Sequence, residues 1–268
     1  MRNVYLRLYV RYVAASVRAQ LQYRASFFMM TLGQFLAIAI EFAGIQALFD
    51  RFGTMRGWSL PEVALLYGMA NTAFALADMF GRGFDQFGTM VRSGDFDRLL
   101  LRPLPTAFQL LAQDLVLMRL GRILCGLLAL SWAMGQLAIT TDAAKIVLLL
   151  FSLLGGACVF FGLFVLQAAS CFRTIETLEI WSTVTYGGVE AAQFPMPLYR
   201  SWMRDLFTFI VPLACLNYLP ASVLLNRSAD LGVPPILAWT CPIIGFVFLA
   251  ISLRVWSFGE RHYLSTGS

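Results

Sequence analysis

The sequence predicts an all-α polytopic membrane protein. It has six transmembrane helices, an N-terminal amphipathic helix lying in the membrane interface, and a cytoplasmic helical loop between spans two and three. Three observations predict this. Of 268 residues, 59% are hydrophobic and 13% charged, with a mean hydropathy of +0.71, which is more apolar surface than one soluble core hides. The apolar residues are gathered into runs of spanning length with polar connections between them. With a cytoplasmic N-terminus, all of the 20 Lys and Arg residues except Arg51, Arg56, Lys145 and Arg227 fall inside, as the positive-inside rule requires.

Within residues 1–24, Arg7, Arg11 and Arg18 share one narrow helical face while Val4, Leu8, Val13 and Leu21 occupy the rest, the pattern of an interfacial helix rather than a cleaved leader. Residues 25–80 hold the first two spans. Ala25 to Phe49 is the first, ended by Asp50-Arg51, and Pro61-Glu62 opens the second, which runs to Phe80. Residues 81–105 form the cytoplasmic loop, with an amphipathic patch from Phe84 to Val91, a Ser93-Gly94 stop and a cluster of Asp and Arg residues. Residues 106–170 hold a helix that starts in the interface, a third span near Ile123 to Ile139, and a fourth from Ile146 to Ala169. Gly155, Gly156 and Gly162 in the fourth favour close helix contact.

Residues 171–199 do not read as a full span, because Glu176, Glu179, Glu190, Gln193, Pro195 and Pro197 interrupt it. An interfacial helix with a Pro-fixed turn and a polar cavity wall both fit. Counting this segment as a span would put Arg200 and Arg204 outside. Residues 200–258 supply a fifth span near Asp205 to Leu216, interrupted by Pro212 and Pro220, and a sixth from Ile236 to Val255. Residues 259–268 are a cytoplasmic tail.

Several chemistries are excluded. The net charge of +5 comes almost wholly from arginines beside apolar runs, so it orients a membrane protein and does not bind nucleic acid. Five scattered cysteines without a C-x-x-C pair, and one histidine, give neither a metal site nor a disulfide framework. A phosphate-binding loop needs a Lys after its glycines, and the only lysine, Lys145, follows Ala144, so the chain is not its own ATPase and carries no catalytic residues.

The segment Gly94-Asp-Phe-Asp-Arg-Leu-Leu-Leu-Arg-Pro-Leu-Pro105 resembles the G-x-x-D-x-L-L-x-R-P-L segment of bacterial type-two ABC exporter permeases. Ile210-Val-Pro-Leu-Ala-Cys-Leu-Asn-Tyr-Leu-Pro-Ala221 and Tyr263-Leu-Ser-Thr-Gly-Ser268 are similar to the same subgroup. The resemblance implies a non-catalytic subunit of the bacterial cytoplasmic (inner) membrane, with both termini cytoplasmic and the 81–105 loop as its coupling helix. It further implies re-entrant helices before span six, a second permease subunit (identical or different), and P-loop ATPase partners that hold the ATP and Mg. Gly94, Asp97, Leu100, Arg102 and Pro103 match the signature. With Asp95 and Arg98 they are the expected ATPase-coupling residues, whether they touch the partner or only brace the loop, as an Asp97–Arg102 pair would. Glu41, Asn71, Asp78, Glu190 and Asn217 are the candidate substrate path, since polar groups at membrane depth cost about 3 kcal/mol and so line water or substrate. Glu41 also fits the outer boundary of its span. An ion-coupled secondary transporter, and a membrane scaffold or sensor that recruits an ATPase, are the alternatives.

Overall fold

The computed structural model describes residues 2–139, 142–174, 178–228 and 234–263. No strand forms among them. Helix α1 (Arg2–Gln22) bends at Tyr23 into α2 (Arg24–Phe52). The Gln20 amide and the Ser16 hydroxyl of α1 both donate to the Leu115 carbonyl, so α1 is clamped to the connection that leads into the third long helix. Ile38, Ile45 and Phe49 of α2 turn inward, while Phe28, Met29, Ile40 and Phe52 stay exposed, a face for lipid or another subunit. Gly53, at φ 75°, ends the helix.

Helix α3 (Leu60–Asp85) starts with a capping box between Ser59 and Glu62, with Pro61 in its first turn. It runs five residues beyond the expected Phe80. It is the buried centre of the bundle, packed on α7 (Leu120–Gln136) and α8 (Ala143–Ser170). Between α3 and the start of α7 lie α4 (Phe87–Arg92), α5 (Asp95–Leu100), α6 (Thr106–Gln113) and a short turn, Leu117–Arg119. The expected continuous helix from Thr106 into span three is broken: Asp114 is extended, and the Val116 N–H bonds the Met79 carbonyl of α3 instead.

Gly155 of the fourth span makes the close contact its type suggested, with α12 (Pro235–Glu260) as partner. A Cβ on Gly245 would lie 2.2 Å from the Gly155 carbonyl oxygen, so no other residue fits there.

Between residues 178 and 199 a helix is followed by a Pro-fixed turn, one of the two arrangements the sequence allows; the helix, α9 (Leu178–Ala192), packs on α8 and α3. Its start lines a cleft through Glu179 with Asp85 and Gln167, at the end of the bundle that carries α4 and α5. Shortly after its end, the Pro197 carbonyl accepts from Arg56, in the α2–α3 turn at the opposite end. The segment therefore runs from one end of the bundle to the other. Beyond it come α10 (Ser201–Asp205), a wide helical turn Leu206–Ile210, a short turn Leu213–Cys215 and α11 (Tyr218–Leu224). The two arms, Ser201–Ile210 and Leu213–Leu224, meet at 71°.

The bend falls at Pro212, which lacks an N–H and holds Val211 extended. From the Pro197 end the chain dips until Leu213 meets Gly188 and Leu216 meets Gly156. It then returns, with Tyr218 on Trp58 (5.9 Å between rings), Arg227 on Glu62 (2.7 Å) and Asn226 on Lys145 (3.0 Å). The fifth span expected near Asp205 to Leu216, interrupted by Pro212 and Pro220, takes the form of this bent pair, and Arg200 follows Pro197 at the Arg56 end. Among the described residues five helices are long and apolar enough to cross a membrane, or six if the bent pair is counted as one. Of the segments singled out in the sequence, Glu176 and Leu264 to Ser268 lie outside the described residues.

Candidate functional site

Two places carry the polar chemistry: the loop at one end and a charge cluster inside the bundle. In the loop, Gly94 sits at φ 73°, a left-handed conformation that lets α4 turn into α5. Asp95 and Asp97 fall in the first turn of α5 and Arg98 in its last, as the helix dipole favours. Asp95 accepts from the Ser93 hydroxyl at 2.6 Å and pairs with Arg98 at 3.4 Å.

Phe96 and Leu99 turn inward from α5. The Phe96 ring stands edge-on to Phe87 and Tyr263, each at 4.9 Å, and lies 5.7 Å from Phe172 and 6.4 Å from Trp256 of α12. Trp256 in turn donates to the Thr106 hydroxyl at 3.2 Å. The Gln109 amide of α6 donates to the Leu99 and Leu104 carbonyls at 3.0 and 2.9 Å, which pins the Arg102-Pro103 turn. On the other side Arg98, Leu100, Arg102 and Pro103 are exposed, and so is Leu101, at 86%, a large apolar side chain the sequence reading passed over. The Leu-Leu-Leu run was its signal: at helical spacing Leu99 faces in and Leu101 must face out.

Of the five interior candidates, four come together. Arg122 donates through Nε to Asn71 Oδ1 at 2.9 Å, and its guanidinium lies 4.5 Å from the Phe74 ring centroid. The Asn71 amide donates to the Tyr67 carbonyl at 3.1 Å, and the Tyr67 hydroxyl to the Ile38 carbonyl of α2 at 2.7 Å. Asp78 meets Arg119 at 2.7 Å, while Arg119 Nη1 donates to Gln34 Oε1 at 3.0 Å. Glu41 and Glu190 lie within electrostatic reach of Arg122, and Glu190 Oε2 accepts from the Gln193 amide at 3.2 Å.

Just beyond α9, Tyr199 donates to the Ala191 carbonyl at 2.9 Å; burial first, and the Glu190 charge second, push its phenol up to about 12. Asn217 stands apart from the cluster. Its Oδ1 accepts from the Tyr218 N–H at 2.7 Å at the start of α11, and its amide donates to the Ala192 carbonyl, so it ties the returning arm to α9. Arg119 and Arg122 were missed, having been counted with the cytoplasmic flank of span three. Arg122 is only 8% exposed. Carboxylates within α2 and α3 were the available sign that a cation must stand beside them.

These features define an α-helical polytopic membrane protein with ion-pairing side chains inside its bundle and a folded, exposed loop braced at one end. The chain belongs to the ABC-2 family of transporter proteins, whose family model matches residues 35–267. No curated protein and no solved structure matches it. Members of this family are membrane transport subunits, generally non-catalytic, whose ATP hydrolysis is carried by a partner.

Proposed function

We propose that the chain is the permease subunit of an ATP-driven exporter of the bacterial cytoplasmic membrane. It pairs with a second permease subunit, and the α4–α5 loop receives the push of a P-loop ATPase. One observation carries the reading: α5 and the turn after it expose Arg98, Leu101 and Arg102 on one side, while Phe96 is seated on the other against Phe172, just past α8, and Trp256 of α12. A displacement delivered to the exposed side must move the ends of the long helices.

In this reading the six crossings are α2, α3, α7, α8, α9 and α12, with residues 201–224 re-entrant and both termini cytoplasmic. The positive-inside balance survives, since only Arg200 and Arg204 join the outer set. The cluster around Arg122 lines the substrate path. Taken alone, the presence of Glu41 and Glu190 near Arg122 favours an ion-coupled secondary transporter, in which transport would persist without ATP. The test is capture of the tagged chain from its native cells in mild detergent. Wild type is expected to retain a P-loop ATPase and an Asp97→Ala, Arg102→Ala variant to lose it. An intact complex without any ATPase refutes the reading.

A further inference from the structure

An apolar groove of about 610 Å³ opens where five helices meet. Its walls include Leu76 and Phe84 of α3, Phe108 of α6, Phe161 of α8, Leu249 of α12 and Tyr9 of α1. Leu76 and Phe84 are eight helical steps apart, about 12 Å, so the groove runs along the bundle from its loop end toward its middle. At the loop end a second pocket, of about 220 Å³, shares Phe108 with it and is lined by Tyr12, Arg102, Gln109 and Gln113. Tyr9 and Tyr12 lie one turn apart on α1, and the Tyr9 ring stands 6.2 Å from Phe108, so the same two helices border both spaces. The second pocket is polar where the first is apolar. Arg102 is its charged side chain, and Gln109 is only 7% exposed. The Gln109 amide nitrogen already bonds the Leu99 and Leu104 carbonyls, which leaves its Oε1 as an acceptor, and that oxygen has no partner among the described residues.

We propose that the groove and the pocket together bind one phospholipid of the leaflet at the loop end of the bundle. An acyl chain lies along α3 in the groove, the phosphate meets Arg102, and a hydroxyl-bearing glycerol head supplies the donor that Gln109 lacks. Three features select this occupant: the long axis of the groove follows the helices, as lipid chains do; the cation stands at one end only; and that end holds an acceptor in need of a donor as well. The site requires that the chain lie in a membrane and is independent of any ATPase. A lipid seated there ties the turn after α5 to α1 and α3, so the composition of the leaflet sets how firmly the loop is held.

Phosphatidylglycerol and phosphatidylcholine with identical chains share the phosphate and differ in head charge and in head donors. When the full chain in detergent is incubated with equal amounts of both and analysed intact by native mass spectrometry, one phosphatidylglycerol per chain should be retained at least about ten-fold over phosphatidylcholine. Ala157→Phe, which fills the groove, should abolish that retention. Arg102→Gln, at an exposed position where packing is undisturbed, should cut the preference to about two-fold or less. Glycerol phosphate, the head without chains, should not displace the lipid. Equal retention of the two lipids, retention unchanged in either variant, or displacement by glycerol phosphate overturns the proposal. So does a dimer that holds no lipid and that Ala157→Phe dissociates, which would make the groove a seat for a second copy of the chain.

Discussion

Replacing Phe96 by Ala should release the loop from the bundle while leaving its exposed face chemically intact. The ring is fully buried among Phe87, Phe172, Trp256 and Tyr263, so the substitution empties a site with little means of collapse. Phe→Ala changes in such settings cost about 3–5 kcal/mol. Because α5 is six residues long and lies at the end of the bundle, local opening bears most of that cost. At about 1.4 kcal/mol per decade, the opened population should rise on the order of 100-fold or more.

Hydrogen exchange of the detergent-solubilised chain reads this directly. The Asp97 and Arg102 amides, bonded to the Gly94 and Leu99 carbonyls, should exchange about 100-fold faster, while the middle of α3 is unchanged. Leu101→Ala, at an exposed position, should leave exchange alone and weaken ATPase capture. A rise of less than about ten-fold in Phe96→Ala, or an equal rise across α3, would refute the idea that this ring anchors the loop.

Three further outcomes follow from the same packing. Arg122→Ala removes the counter-charge of Glu41 and Glu190 and the donor to Asn71, and should destabilise the chain by about 3–5 kcal/mol in thermal unfolding; Arg122→Lys, which keeps the charge but loses the planar fork, should recover only part. Gly245→Leu drives a side chain into the Gly155 carbonyl and should lower the unfolding midpoint by the equivalent of about 2–3 kcal/mol or more, whereas Gly44→Leu, where nothing lies within 4 Å, should be nearly neutral. In oriented vesicles, a membrane-impermeant maleimide should label Ser201→Cys from the same side as Thr54→Cys; labelling from the side that reaches Ser93→Cys would overturn the re-entrant reading of residues 201–224.

What the sequence made legible is what a one-dimensional apolar run records. α2, α3, α8 and α12 were placed within a few residues because each is apolar on most of its circumference, whether it meets protein or lipid. α9 was legible only as one of two alternatives because its polarity is sorted by face. Thr185, Gly188, Val189 and Ala192 are buried, while Thr183, Gly187 and Glu190 are exposed, a sorting that is visible only around the helix axis. The bent pair was half legible: Pro212 announced an interruption, but that the chain returns to the end it left depends on Asn226 meeting Lys145 and Tyr218 meeting Trp58, contacts between residues far apart in sequence. The interior site was legible from its acids and not from its bases. An arginine three residues into a helix reads as a membrane-edge anchor until the neighbouring helix is seen to present Asn71 and Phe74 to it.

The two candidate sites share one rigid element. α3 carries Asn71 and Asp78 in the charge cluster and, further along, Phe84, whose ring stands 5.3 Å from Trp256 in the aromatic group that holds Phe96. The thirteen helical steps from Asn71 to Phe84 span about 20 Å of continuous helix. Buried along that length and packed on α7 and α8, α3 has little freedom to bend, so a displacement of α5 reaches the cluster as movement of the whole helix. The Arg122–Asn71 bond joins α7 to α3, and the bond from the Tyr67 hydroxyl to the Ile38 carbonyl joins α3 to α2. A shift of α3 relative to α2 and α9 therefore changes the distance between Arg122 and the two carboxyls. In the transporter reading, that movement is what would link the ATPase at α5 to the interior charges.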